Sequence, residues 1–199
     1  SKATLSNNTF EAAIDNNYFS TYCYAETAEI TAENNVIKLA NRGSNAIRIS
    51  NYTNSNVTFN LNNNSYEFSD ASGSSEYEGF IILQDFSTGS AVQDFSKVTL
   101  NIKGLTAPDD AAQLFYVYDD HQNSIISTNQ PVVKGDSSIE KFFAAKVGDT
   151  YYKTLAEAVA AAKNNETVTL LKNAETTVEL SFTNKAITLD LNGKTVSGT

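Results

Sequence analysis

The chain has 199 residues, a formal net charge of -9 and a pI near 4.6, with 41% hydrophobic and 19% charged residues. Its 14 Lys and Arg are scattered along the chain and form no basic stripe, which excludes nucleic acid as a partner and disfavours anionic membranes; no apolar run is long enough for membrane insertion as a helix. The hydrophobic share is near the globular average and roughly a third of the chain is Asn, Ser or Thr, the composition of a β-rich extracellular protein with many polar turns.

Ser1-Lys2-Ala3 has no apolar leader before it, so the chain reads as either cytosolic or a mature or trimmed product of a secreted protein, and the composition favours the latter, extracellular or at the cell surface with its signal sequence absent. Cys23 stands alone in "STYCYAE", which rules out an intramolecular disulfide or a Cys metal cluster and leaves a buried or semi-buried thiol. Strands then follow by alternation, because a half-buried strand sends i, i+2 and i+4 to one face. In "AIRIS", Ile47 and Ile49 point inward and Arg48 outward; in "VTFNLN", Val57, Phe59 and Leu61 are core. "FIILQDF" is apolar on both faces from Phe80 to Leu83 and predicts a central strand. "VTLNIKG" buries Val98, Leu100 and Ile102 and turns Asn101 out, while "LFYVYDD" is bulky on both sides.

Residues 136–145 read as a linker between a domain over 1–135 and a second over 146–199. In the second, "VGDTYY" reads as a hairpin around Gly148-Asp149. "KTLAEAVAAAK" is the one convincing helix: Thr154 and Glu157 form a capping box, and Leu155, Ala158, Val159 and Ala162 make an apolar stripe. The segments "NVTFNLNN", "KVTLNIKG" and "AITLDLNG" echo one another, but their starts lie 41 and then 89 residues apart, and that irregular spacing argues against one continuous solenoid.

The stretch from Lys146, with Tyr151 or Tyr152 before Thr154-Leu155, Glu157-Ala158-Val159, "TVTLLKN" and "ITLDLNGKTVSG", resembles the N-terminal cap and first coil of the pectate-lyase-like right-handed parallel β-helix of bacterial cell-surface and secreted proteins. The resemblance implies that the helix caps the first coil and that "TVTLL" and "ITLDLNG" are stacked rungs; enzymatic members carry their catalytic acidic, Arg and Lys residues on later coils. The first region, through "NTFEAAIDN", "VIKLANRGSNAIRIS" and "DFSKVTLNIKGLTAPDDAAQLFYVYDD", resembles the jelly-roll β-sandwich of carbohydrate-binding, galactose-binding-like modules. The expected fold class is therefore mainly β: an N-terminal jelly-roll-like sandwich, one helix, and the first strands of a parallel β-helix.

A sugar-binding reading uses the outward Arg48, Gln84, Asn101, Tyr116 and Tyr118, since rings stack on pyranose faces and Arg, Asn and Gln hydrogen-bond hydroxyls. A covered second sheet explains the same bulk. Arg42 and Arg48 are the only arginines, beside a Gly43-Ser44-Asn45 turn where an ion pair serves as well as recognition. Asp109, Asp110, Asp119 and Asp120, with Asn123, are candidate oxygen ligands for a structural calcium, but turns prefer the same residues. His121 is the sole histidine, so His triads and multi-His metal sites are out. No cofactor and no catalytic constellation emerge, and the expected function is a non-enzymatic binding or adhesion module for polysaccharide or a cell-surface glycan. The alternatives are a surface-fibre subunit that self-associates through its C-terminal strands, and a fragment of a polysaccharide lyase or hydrolase.

Overall fold

The computed structural model describes residues 2–11, 19–23, 26–41, 45–51, 55–70, 79–85, 92–117, 127–176, 180 and 184–198. The chain is mainly β, in two compact units, Ser1–Val132 and Val133–Thr199.

The first unit winds through four coils. β1 (Lys2–Ser6), β2 (Thr9–Glu11) and β3 (Phe19–Cys23) make the first, and β4 (Thr27–Glu33), β5 (Val36–Asn41) and β6 (Asn45–Asn51) the second. β7 (Asn56–Asn62), β8 (Ser65–Asp70) and β9 (Gly79–Asp85) make the third, followed by β10 (Val92–Asp94). The fourth has β11 (Val98–Lys103), a bridge from Thr106 to Ser65 in place of a second strand, β12 (Phe115–Val117) and β13 (Ser127–Asn129). Equivalent strands stack in parallel: β1 on β4 on β7 on β11, β2 on β5 on β8, and β3 on β6 on β9 on β12, with β10 on β13.

This corrects the jelly-roll expectation for the first region, because a sandwich of that kind is antiparallel and the strand pairs described within this unit are parallel. The mainly-β class stands; the pairing differs. Alternation could not separate the two, since a solenoid strand, like a sandwich strand, has one face in the core and one in water. The period was hidden as well. Lys2 lies opposite Glu29, Glu29 opposite Thr58, and Thr58 opposite Thr99, steps of 27, 29 and 41 residues. "NVTFNLNN" and "KVTLNIKG" are thus adjacent rungs of a solenoid, and the longer step reflects more residues between β8 and β9 and between β9 and β11 than between the equivalent strands one coil earlier.

Inside the coils, Ile30, Phe59 and Leu100 stack from the first sheet, Ile37 and Tyr66 from the second, and Ile47, Ile81 and Phe115 from the third, each at most 7% exposed. Phe80 to Leu83 are all buried, as expected of a central strand. The first corner repeats an Asn pair. Asn7, Asn34 and Asn63 have φ of 59, 55 and 53°, and Gly104 takes the same place at 61°. The left-handed conformation that Asn and Gly tolerate turns the chain at this corner. The next residue points inward in three coils: Asn8 Nδ2 donates to Asn35 Oδ1 at 3.1 Å, and Asn35 Nδ2 to Asn64 Oδ1 at 2.9 Å. Asn35 and Asn64 are 2% exposed, and their amides also reach Leu5 O and Ala32 O, so these buried polar groups are paired.

In the second unit β14 (Val132–Gly135) precedes a 3-10 turn at Ser137–Phe142, capped by Asp136, which buries Ile139 and Phe142 where the sequence reads as a linker. β15 (Ala145–Val147) and β16 (Thr150–Tyr152) form the expected antiparallel hairpin at Gly148-Asp149. α1 (Leu155–Ala161) carries the full Thr154–Glu157 capping box, and its apolar stripe packs on Ala145, Val168 and Leu170. β17 (Thr167–Leu170) and β18 (Ala174–Thr176) then pair in parallel with β19 (Thr188–Asp190) and β20 (Val196–Gly198). Lys185 reaches back to the end of α1, donating to Val159 O, Ala160 O and Ala162 O at 2.5 to 3.0 Å. This is a cation on helix-terminal carbonyls, which the helix dipole favours. The last rung is open, with Leu191 45% and Val196 36% exposed.

Candidate binding surfaces

The parallel register of β1, β4, β7 and β11 sorts their outward residues into columns. One runs Lys2, Glu29, Thr58, Thr99; the central one Thr4, Thr31, Asn60, Asn101; the third Ser6, Glu33, Asn62, Lys103. All are exposed or half-buried, and none is aliphatic or aromatic. The inward alternates Ile30, Ala32, Phe59, Leu61, Leu100 and Ile102 are buried, which leaves the polar set on the open side.

Side chains on this face are linked across the coils. Asn101 Nδ2 donates to Asn60 Oδ1 at 2.9 Å, Asn60 Nδ2 to Glu29 Oε1 at 3.3 Å, and Lys2 Nζ lies 2.7 Å from Glu29 Oε2. The ammonium of Lys2, by hydrogen bond and by charge, holds the Glu29 carboxyl below the usual carboxylate range, and Glu29 raises Lys2 in return. The chain orients both amides while leaving each a second N–H, and leaving acceptor capacity on Asn101, by the inventory of a carboxamide.

The residues expected to bind sugar do not converge on one place. Asn101 belongs to the open face just described. Arg48, Gln84 and Tyr116 share the outward face of a different sheet, with Arg48 opposite Ile82 and Ile82 opposite Tyr116. There Arg48 Nη2 donates to Gln84 Oε1, but Gln84 is 1% exposed, Ser50 is 0% and Ile82 is 6%, so this face is covered and Gln84 has no access to a ligand. Tyr116 is half-buried. Tyr118 lies outside the described residues, as do Arg42, Gly43, Ser44, Asp119, Asp120, His121 and Asn123, and so does the side chain of Cys23.

Asp109 and Asp110 are exposed in a turn closed by Ala111 N donating to Pro108 O at 3.0 Å. Among the described residues no group of three or more His, Cys, Asp or Glu is gathered so as to hold a metal ion, and no helix is long and apolar enough to cross a membrane. A void of about 10 Å³ within the coils, lined by Leu5, Phe10, Ala32, Asn35, Ile37, Ala46, Ile47 and Asn64, holds at most one water and is no organic ligand site.

Sequence reading missed Thr4, Thr31, Glu29 and Asn60 as partners of Asn101. The signal was present in the corner motif: "LSNNTF", "AENNVI", "LNNNSY" and "IKGLTA" align at Asn7, Asn34, Asn63 and Gly104, and that alignment sets the register of every strand before it. Comparison with family models, with curated proteins and with solved structures found no match.

Proposed function

We propose that the chain is a non-enzymatic, extracellular binding or adhesion module of a bacterial cell-surface protein, and that it recognises polysaccharide through the outward face of β1, β4, β7 and β11. The observation that carries this reading is the column of equivalent hydroxyl and amide groups, held in register by the stack and oriented by the Asn101–Asn60–Glu29 chain. A periodic comb of directional donors and acceptors suits a polymer of hydroxylated units, and pre-orientation lowers the entropy lost on binding. The parallel pairing of β17 with β19 and of β18 with β20 supports the likeness to a β-helix opening on which the cell-surface assignment rests.

Retention on immobilised polysaccharides tests the reading. Replacing Asn60 and Asn101 together by Ala removes hydrogen bonds worth about 0.5–1.5 kcal/mol each, so retention falls about tenfold while the melting curve stays cooperative. A protein that retains no glycan, or a double variant that binds as well as the parent, overturns it.

A second reading, an assembly subunit, is favoured by the exposed Leu191 and Val196 beside β19 and β20, each of which has one edge that pairs with no other strand among the described residues. An open parallel edge with apolar side chains is a template for another strand. Size measurement across a concentration series decides: mass that rises with concentration and falls on Leu191→Asp supports assembly, and a monomer throughout removes it.

A further inference from the structure

Resting on that reading, we infer that the polysaccharide is a neutral, unbranched chain that lies across the strands, along the direction of stacking, over the column Thr4, Thr31, Asn60, Asn101.

Direction follows from the register. Along a strand the outward groups change character, from Glu29 to Thr31 to Glu33, or from Thr99 to Asn101 to Lys103. Across the strands the central column stays uncharged and hydrogen-bonding throughout, two hydroxyls and then two amides, repeating at the inter-strand spacing of about 4.8 Å. Along a strand only β7, with Thr58, Asn60 and Asn62, offers uncharged groups throughout, so a ligand that spans all four coils meets uncharged partners at every step only in that second direction.

Neutrality follows from charge. The central column has no ionised group. The flanking columns hold Lys2, Lys103, Glu29 and Glu33, which cancel, and Lys2 is engaged by Glu29 at 2.7 Å. An acidic polymer would meet two carboxylates here on a protein of net charge -9, with Lys103 its main attraction. A neutral polymer meets no such penalty. Branches are disfavoured because the inward neighbours Ile30, Ala32, Phe59, Leu61, Leu100 and Ile102 are closed core, so among the described residues β4, β7 and β11 offer a side group no cleft.

The absence of rings from this face sets the energetics. Without stacking, each sugar contributes only hydrogen bonds, which are individually weak in water. Affinity therefore accumulates with length until the oligomer covers the four coils, about 14 Å at the inter-strand spacing.

The test is calorimetric or plate-based binding of the full chain to length series of neutral linear glucan and xylan oligomers, alongside polygalacturonate and a sulfated glycan, at low and high salt. The expected result is affinity for neutral oligomers that grows with length, levels off near the four-coil span and changes little with salt. Thr31→Val, which keeps shape and removes the hydroxyl, and Asn101→Ala should each weaken it by about threefold to tenfold. Tighter binding of the acidic glycans with steep salt dependence, affinity independent of length, or unchanged binding by both variants overturns the inference and leaves polysaccharide recognition standing. Failure to bind any glycan removes both.

Discussion

The two units enclose their cores by different means. In residues 1–132 each coil turns through three strand directions, so the inward residues of the three sheets face one another and the coil shelters its own interior; Phe59, Leu100 and Ile81 are fully buried with no helix among the described residues of this unit. In residues 133–199 the two rungs are 21 and 22 residues apart, as read from Thr167 to Thr188 and Ala174 to Val196, and the interior is closed by α1, whose Leu155, Ala158 and Val159 pack on Val168 and Leu170. Leu189 and Ile187, one rung further from the helix, are only half-buried. A coil that closes on itself tolerates a step of 27, 29 or 41 residues, because the extra chain goes into connections and leaves the stack untouched. A rung that borrows its lid has less freedom.

This difference is open to attack at the corners. The largest effect is expected at Asn35, whose amide serves Asn8, Asn64 and Leu5 in a buried setting. Asn35→Ala leaves several of those groups unsatisfied and should cost about 2–3 kcal/mol. Asn192 makes a comparable bridge in the second unit, Nδ2 to Leu170 O at 3.0 Å, but from an exposed side chain whose loss lets water reach the carbonyl, and Asn192→Ala should cost under about 1 kcal/mol. Denaturant titration of the two variants checks the contrast, and equal losses would show that the corner ladder is no more than surface decoration.

A smaller effect is expected at Gly104. A Cβ there would sit 2.4 Å from Asn63 Oδ1, and φ is +61°. Gly104→Ala should cost about 1–2 kcal/mol from the left-handed backbone alone. Gly104→Asn meets the same Asn63 Oδ1, the end of a side chain that can swing aside, but should be closer to neutral because Asn7, Asn34 and Asn63 adopt the same backbone conformation in the preceding coils. Thermal melts of the pair sharpen the comparison, because an Asn variant as damaged as the Ala variant would mean that the fourth coil is not equivalent to the first three.

The smallest effect separates the units by pH. Tyr151 in the second unit donates its hydroxyl to Asp136 O at 2.9 Å, and burial, with the charges of Glu140, Asp136 and Asp149 adding to it, pushes the phenol up to about 12. The folded value lies above the ordinary one near 10, so the neutral phenol is the form the fold prefers. Its contribution is complete below pH 10 and is lost as pH rises from about 10 towards 12. Tyr151→Phe should lower stability at neutral pH by about 1 kcal/mol and flatten that alkaline decline. A decline of the same steepness in the variant would place its origin elsewhere.

Much of the second unit was legible because its signals are local. The Thr154–Glu157 box, the stripe at Leu155, Ala158, Val159 and Ala162, and the turn at Gly148-Asp149 each depend on residues within a few positions, and each formed as read. In the first unit the inward sets Val57, Phe59, Leu61 and Val98, Leu100, Ile102 were also legible, yet the partner strands were not. Alternation tells which face is wet and is silent on whether the neighbour runs parallel, and connections of unequal length conceal a repeat that only the Asn corners keep.

The chain's residues alone determined that the protein is β-rich and acidic, which side chains enter the core in the strands that alternate cleanly, and where the helix starts; these follow from period, capping and turn preference, all short-range. Tertiary structure alone decided that strands up to 41 residues apart stack in register. That register brings Thr4, Thr31, Asn60 and Asn101 into one open column and places Gln84 on a covered face. The reason is physical: a column across a sheet is made of long-range backbone hydrogen bonds, and no pattern within a single strand encodes its neighbour.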